Sequence, residues 1–185
     1  METATPLTFC SSFLAVRHYV ERNRGHEAFQ AMRAQLPDTV GVTLPPVITP
    51  GSWHPTIAFA GLLDLGAALF GTPDFYEDFG RAAAELEINI VYRVILRFTS
   101  PEWLLTQGSR IWRKAHNTGR WVIEGGPRRV RGSLYDFGLV HRGYCRSLVG
   151  WLTRSCEMTG AKGIRVLHPI CRADGRECCV FEGRW

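Results

Sequence analysis

Five residues near the C-terminus of this 185-residue chain combine types and spacings that suit metal binding. They are Cys145, His168, Cys171 and the adjacent pair Cys178 and Cys179. Three thiolates and one imidazole form a closed tetrahedral ligand set that structural zinc prefers. The alternative is that these cysteines are reduced thiols that serve as small buried apolar residues.

A predicted helix and the strand after it would bring most of these residues together. From Cys145 the helix climbs about 1.5 Å per residue to Gly160, and the following strand returns at about 3.3 Å per residue. His168 and Cys171 therefore arrive beside Cys145. Cys156 is left about 16 Å away along the helix axis, so it is expected in the core.

The last strand completes the set. A turn at Asp174-Gly175 predicts a hairpin that brings the final strand back beside Cys171. Adjacent residues in a strand point to opposite faces of the sheet, so only one of Cys178 and Cys179 can share the site.

The remaining pattern predicts an α+β fold. Helical spacing and helix-stop residues predict helices over 9–22, 26–36, 56–70, 90–98, 100–116 and 139–159. Pro37 is expected to stop the second helix. The proline-rich stretch after it is expected to lack regular structure and to hold Trp53 in an ordered loop or an anchored crossing. Two hairpins, around 125–127 and 174–175, flank the last helix in a β-β-α-β-β order. We therefore predict a single domain over residues 1–185, with a helical N-terminal half packed on a four-stranded antiparallel sheet.

The C-terminal third resembles a known family. Gly143-Tyr144-Cys145, then Gly150-Trp151, then the run from His168 to Phe181 resemble the C-terminal signature of the 4-vinyl reductase-type small-molecule-binding domain. Its superfamily includes haem nitric-oxide sensors, the receiver domains of aromatic-sensing transcription activators and the TRAPP vesicle-tethering subunits.

The resemblance implies which residues hold the metal and which cofactor is present. It implies zinc bound by Cys145, His168, Cys171 and Cys179, although aromatic-sensing relatives usually have Glu where this chain has His168. The haem branch of the superfamily carries a Tyr-x-Ser-x-Arg signature that this chain lacks, so haem is not expected.

The resemblance also implies a ligand pocket between the sheet and the central helices. The aromatic and polar residues expected to line it are Tyr92, Phe98, Trp103, Trp112, His116 and Trp121. Aromatic walls with a few polar groups suit a small apolar or aromatic ligand. The alternative is that these residues are ordinary core side chains, because large aromatics dominate protein cores.

Composition limits the remaining function classes. A net charge of +5 with one dense cluster, residues 128–131, is too mild to predict nucleic-acid binding. We find no secretory signal or apolar membrane span, and six cysteines then indicate reduced thiols in a soluble, cytoplasmic protein.

No catalytic arrangement is recognisable, so we do not expect an enzyme. The sequence predicts a small-molecule sensor or regulatory binding protein that acts through a signalling partner or a homodimer. A scaffold of the vesicle-tethering type with a filled core is the alternative.

Overall fold

The computed structural model describes residues 5–88, 96 and 98–185 of the chain. Its helices are α1 Cys10–Arg24, α2 His26–Val40, α3 Thr56–Phe70, α4 Phe75–Glu87, α5 Pro101–Thr106, α6 Gly108–Ala115 and α7 Arg142–Glu157. Its strands are β1 Leu7–Phe9, β2 Trp53–Pro55, β3 Arg120–Gly126, β4 Arg129–Tyr135, β5 Arg165–Ile170 and β6 Cys179–Arg184. The predicted α+β class is confirmed. Most of the helix predicted over 90–98 lies outside the described residues.

The four C-terminal strands form one antiparallel sheet in the order β3-β4-β6-β5. Leu134 of β4 is paired with Cys179, and Gly132 with Phe181, so β6 lies in the middle of the sheet. The pairing of β5 with β6 shifts register between Leu167 and Ile170. Such irregularities redirect side chains, and this one lies at the position of the predicted metal ligand on β5.

Helices α4 and α7 approach each other closely because each has a glycine where it meets the backbone of the other helix. A Cβ atom on Gly80 would lie 1.8 Å from the carbonyl oxygen of Ser147, and one on Gly150 would lie 2.1 Å from that of Glu77. No side chain fits at either position. The close contact fixes α7, which carries Tyr144 and Cys145, against the helical layer.

Two predictions for the first half of the chain were wrong. Trp53 is in strand β2, where it is paired with Phe9 of β1, because extended segments from two distant parts of the chain meet here. Pro37 lies inside α2, which ends at left-handed Gly41 instead. Pro37 has no backbone N–H, so one hydrogen bond of the helix is missing near its end. In the same turn, the Thr39 hydroxyl donates to the carbonyl of Gln35.

The segment predicted as one helix over 100–116 contains two. Helix α5 begins at its N-cap Ser100, whose hydroxyl accepts from the amide of Trp103. Gln107 separates α5 from α6, and α6 ends before His116, which has an extended backbone conformation. The break lets the two short helices follow the edge of the sheet at β3.

Among the described residues, no single helix is long and apolar enough to cross a membrane. Helices α3 and α4 together meet the length and composition required, but they are bent by 118° at the break between them. Both contribute fully or nearly fully buried side chains to the core, including Leu62, Leu63 and Phe79.

Candidate functional site

The structure brings together the four residues that were predicted to converge. Ligand-type atoms of Cys145, His168, Cys171 and Cys179 all lie within 4.8 Å of one another. Cys145 is in the first turns of α7, His168 is in β5, Cys171 directly follows β5 and Cys179 begins β6. We refer to these four residues as the thiol cluster.

The imidazole of the thiol cluster is oriented by the backbone. Nδ1 of His168 lies 2.9 Å from the carbonyl oxygen of Val180, so this nitrogen carries the hydrogen and donates. Nε2 is buried and has no hydrogen-bond partner in the described part of the chain. A histidine that binds a metal commonly donates its other ring N–H to a carbonyl in this way.

The thiols of the cluster differ in acidity. The Sγ atoms of Cys145 and Cys179 are 3.7 Å apart, and the backbone N–H of Arg172 donates to Cys179 Sγ at 3.3 Å. The hydrogen bond from Cys145 is the main effect that lowers the pKa of Cys179, to about 4, against the opposing effect of burial. The same hydrogen bond and burial raise the pKa of Cys145. The thiolate form is therefore favoured at Cys179, and the thiolate is the form of cysteine that binds a metal ion.

The other three cysteines lie outside the thiol cluster. Cys156 is 2% exposed, near the C-terminal end of α7, and Cys10 is 3% exposed at the start of α1. Cys178 precedes β6 and is partly exposed. The separation of Cys156 from the cluster agrees with the helix-length argument made from the sequence.

A partly open cavity of about 120 Å³ lies among the helices. Trp112, His116 and Trp121, three of the residues predicted to line a pocket, do line it. Of the described residues that line it, Trp121 is the only one from the sheet. A second cavity of about 50 Å³ adjoins it along the inner face of the sheet and shares Trp121 and Leu105 with it.

The other predicted pocket residues are not in the cavity wall. Phe98 is 86% exposed and Trp103 is 48% exposed. In α5 the next two residues, Leu104 and Leu105, face the cavity instead, so Trp103 points outward. Tyr92 lies outside the described residues.

A buried chain of hydrogen bonds begins at the cavity wall, at Tyr144 and His116, and continues behind it. The Tyr144 hydroxyl lies 2.8 Å from Nε2 of His116, and Nδ1 of His116 lies 3.1 Å from the Thr8 hydroxyl. Thr8 in turn donates to the hydroxyl of Thr56 at 3.0 Å. Both nitrogens of the imidazole are therefore occupied. Burial lowers the pKa of His116 to about 3, so the ring is neutral.

One carboxyl group in the cavity wall was missed from the sequence. Glu87, the last residue of α4, accepts from the Ser12 hydroxyl at 3.2 Å and from the indole N–H of Trp151 at 2.9 Å. Burial raises the pKa of Glu87, although these two hydrogen bonds oppose the shift. Nothing in its sequence context distinguishes it from the exposed acids of the same helix, Glu77 and Glu85.

Solved structures share this fold. An H-NOX protein from Shewanella oneidensis in the Fe(II) ligation state is 13% identical to this chain, with a TM-score of 0.75. The alignment covers 95% of both chains. The unliganded Fe(II) form of an H-NOX protein from K. algicida, mutant A71G, is 15% identical with a TM-score of 0.68 and the same coverage. A structure described by haem redox potential and porphyrin distortion is 11% identical, with a TM-score of 0.66, covering 94% of this chain and 92% of its own. No protein-family model and no curated protein matches the chain.

These neighbours contradict zinc as the predicted cofactor. They are described by iron ligation states and by a porphyrin, so the shared fold points to haem in place of zinc. The 4-vinyl reductase-type assignment gains no support from them beyond the wider superfamily of haem nitric-oxide sensors.

The described residues nevertheless do not fit a haem group. The cavity of about 120 Å³ is far below the roughly 300–1,000 Å³ of pockets for drug-sized ligands, and a porphyrin is larger than those. His and Tyr side chains are common haem ligands, but the two in the cavity wall, His116 and Tyr144, hydrogen-bond to each other. No Lys or Arg among the described lining residues could neutralise the propionates. The chain therefore shares the fold of the H-NOX proteins, while the cavity among its described residues is smaller than a haem group requires.

Proposed function

We propose that this chain is a small-molecule-sensing or regulatory binding protein whose ligand occupies the cavity among α4, α6 and α7. The observation that carries the proposal is a largely apolar, partly open cavity in the fold of H-NOX proteins. An engineered cavity of ~150 Å³ with apolar walls holds benzene, so about 120 Å³ suits a molecule of that size or smaller. Trp112 and Trp121 in its wall would report occupancy through their fluorescence.

We propose further that the thiol cluster binds one metal ion. The support is the unpartnered Nε2 of His168 among three thiols and the Nδ1 hydrogen bond that orients the ring. A bound ion would tie the start of α7 to the β5–β6 connection and so hold Tyr144, the residue before Cys145, at the cavity. The four ligands of such a site leave no open coordination position, so its role would be structural. We therefore propose a protein that is not an enzyme.

We propose that the sensor acts through a signalling partner or through a homodimer. A cytoplasmic location remains a prediction from the sequence. A scaffold with a filled core is the second candidate. The small size of the cavity, about 120 Å³ against the roughly 300 Å³ or more of typical ligand pockets, is the observation that favours it.

Native mass spectrometry of protein purified without added metal or ligand tests these proposals together. The expected spectrum shows one metal ion per chain and a small adduct that is lost on activation. A mass equal to that of the bare chain, with a cavity that binds nothing on titration, would favour the scaffold.

A further inference from the structure

Glu87 is the only acidic side chain among the described residues that line the cavity. Its two oxygen atoms accept hydrogen bonds from Ser12 and Trp151, and both donors are neutral. The described groups that act on its pKa are these two neutral donors, and no Lys, Arg or His is among them. Among the described residues, the carboxyl group therefore has hydrogen-bond partners but no compensating positive charge.

The position of Glu87 adds to the local negative potential. It is the last residue of α4, where the unpaired carbonyl groups of a helix carry a partial negative charge that favours cations. A carboxylate at an apolar wall is costly unless it is paired. The raised pKa of Glu87 reflects this cost. A cation in the cavity would supply the missing partner.

The rest of the cavity also suits a cation with a small apolar body. Its wall contains six aromatic rings, those of Phe59, Phe79, Trp112, Trp121, Tyr144 and Trp151. Aromatic faces attract organic ammonium ions, and cages of such rings recognise them in many proteins. His116, the one basic group in the described wall, is held neutral by burial, so it does not repel a cation.

From these contacts we infer that the cavity selects a small protonated amine, with its ammonium group against Glu87 and its alkyl group among the aromatic rings. This inference rests on the proposed ligand-binding function and specifies the ligand class. The cavity volume limits the ligand to about the size of benzene.

Isothermal titration calorimetry at neutral pH, with isobutylammonium, isobutanol and benzene as probes, tests the inference. Isobutylammonium and isobutanol have nearly the same size and shape but differ in charge. We expect the ammonium ion to bind roughly tenfold or more tightly than the alcohol. Glu87→Gln should abolish this preference and leave benzene binding in place. Glu77→Gln, an exposed acid on the same helix, should preserve it.

Each result separates the inference from the proposed function. If isobutanol or benzene binds but isobutylammonium does not, or if Glu87→Gln leaves the preference intact, the inference is overturned while the binding function stands. If none of the three probes binds to the wild-type protein, both fall. The three probes are compared on the wild-type protein, so the inference can be tested even if Glu87→Gln fails to fold.

Discussion

The hydroxyl of Tyr144 lies 2.8 Å from Nε2 of His116 in the cavity wall. The residue after Tyr144 is Cys145, whose thiol belongs to the cluster 3.7 Å from Cys179. Consecutive residues of α7 therefore belong to the two candidate sites. Any movement of this turn would change the cavity and the thiol cluster together.

The neutral, buried His116 predicts a specific acid sensitivity. Its pKa is lowered from 6.5 to about 3 in the folded protein, so the unfolded chain takes up the proton first as the pH falls. Its contribution to stability is complete above about pH 6.5 and falls by roughly 1.4 kcal/mol per pH unit until about pH 3. We expect His116→Gln to flatten the fall in melting temperature between these limits. His18→Gln, at an exposed position, should retain the wild-type slope, and equal slopes in all three proteins would contradict the prediction.

The thiol cluster predicts unequal effects of two buried cysteines. Cys171 and Cys156 are 3% and 2% exposed, so replacing either by Ser changes a buried site of the same size. Because the free energy of metal binding becomes folding free energy, Cys171→Ser should lower the melting temperature far more than Cys156→Ser. A strong chelator should destabilise the wild-type protein and Cys156→Ser but have little effect on Cys171→Ser. Comparable melting temperatures for the two variants would argue that the cluster holds no metal.

The contact between α4 and α7 predicts that one glycine cannot be replaced. A Cβ atom on Gly150 would lie 2.1 Å from the backbone oxygen of Glu77, whereas one on Gly108 would lie 3.7 Å from the side chain of Ile123. We expect Gly150→Ala to lower the free energy of unfolding by about 3 kcal/mol or more, because the backbone of α4 or α7 must move to make room for the methyl group. Gly108→Ala should change it by less than about 1 kcal/mol. Urea denaturation measures both, and a small effect at Gly150 would mean that the helices separate easily.

The poor fit of haem predicts the outcome of reconstitution. Haemin added to the purified protein should give no sharp Soret band at one haem per chain, while an H-NOX protein treated in parallel should give one. The physical reasons are the small cavity and the mutual hydrogen bond that occupies His116 and Tyr144. Stoichiometric haem that is lost in His116→Ala would show that the cavity opens to admit it.

The sequence was most informative where the argument was local. The rise of a helix and the length of a strand were enough to place Cys145, His168 and Cys171 together, and to separate Cys156 from them. The resemblance implied Cys179 in place of Cys178, and the structure places Cys179 in the cluster.

The cavity depends on contacts between distant parts of the chain, which spacing does not encode. Trp103 and Phe98 were predicted in its wall because they are aromatic, but the short helix α5 directs Leu104 and Leu105 inward instead. The role of Glu87 arises only when α1 and α7 bring Ser12 and Trp151 to it. The partner strands β1 and β2 were missed for the same reason, since their three-residue segments are 46 residues apart at Leu7 and Trp53.

Binding of a small molecule in the cavity among α4, α6 and α7 can be tested with a cavity-filling variant. Ala83 is buried in the cavity wall, whereas its neighbour Ala82 lies in an outer groove of α4. Benzene and isobutylammonium are titrated by calorimetry into the wild-type protein, Ala83→Leu and Ala82→Leu. We expect saturable binding to the wild-type protein and to Ala82→Leu, and loss of binding in Ala83→Leu with its fold intact. Absence of saturable binding of either probe to the wild-type protein, or unchanged binding in Ala83→Leu, would contradict it.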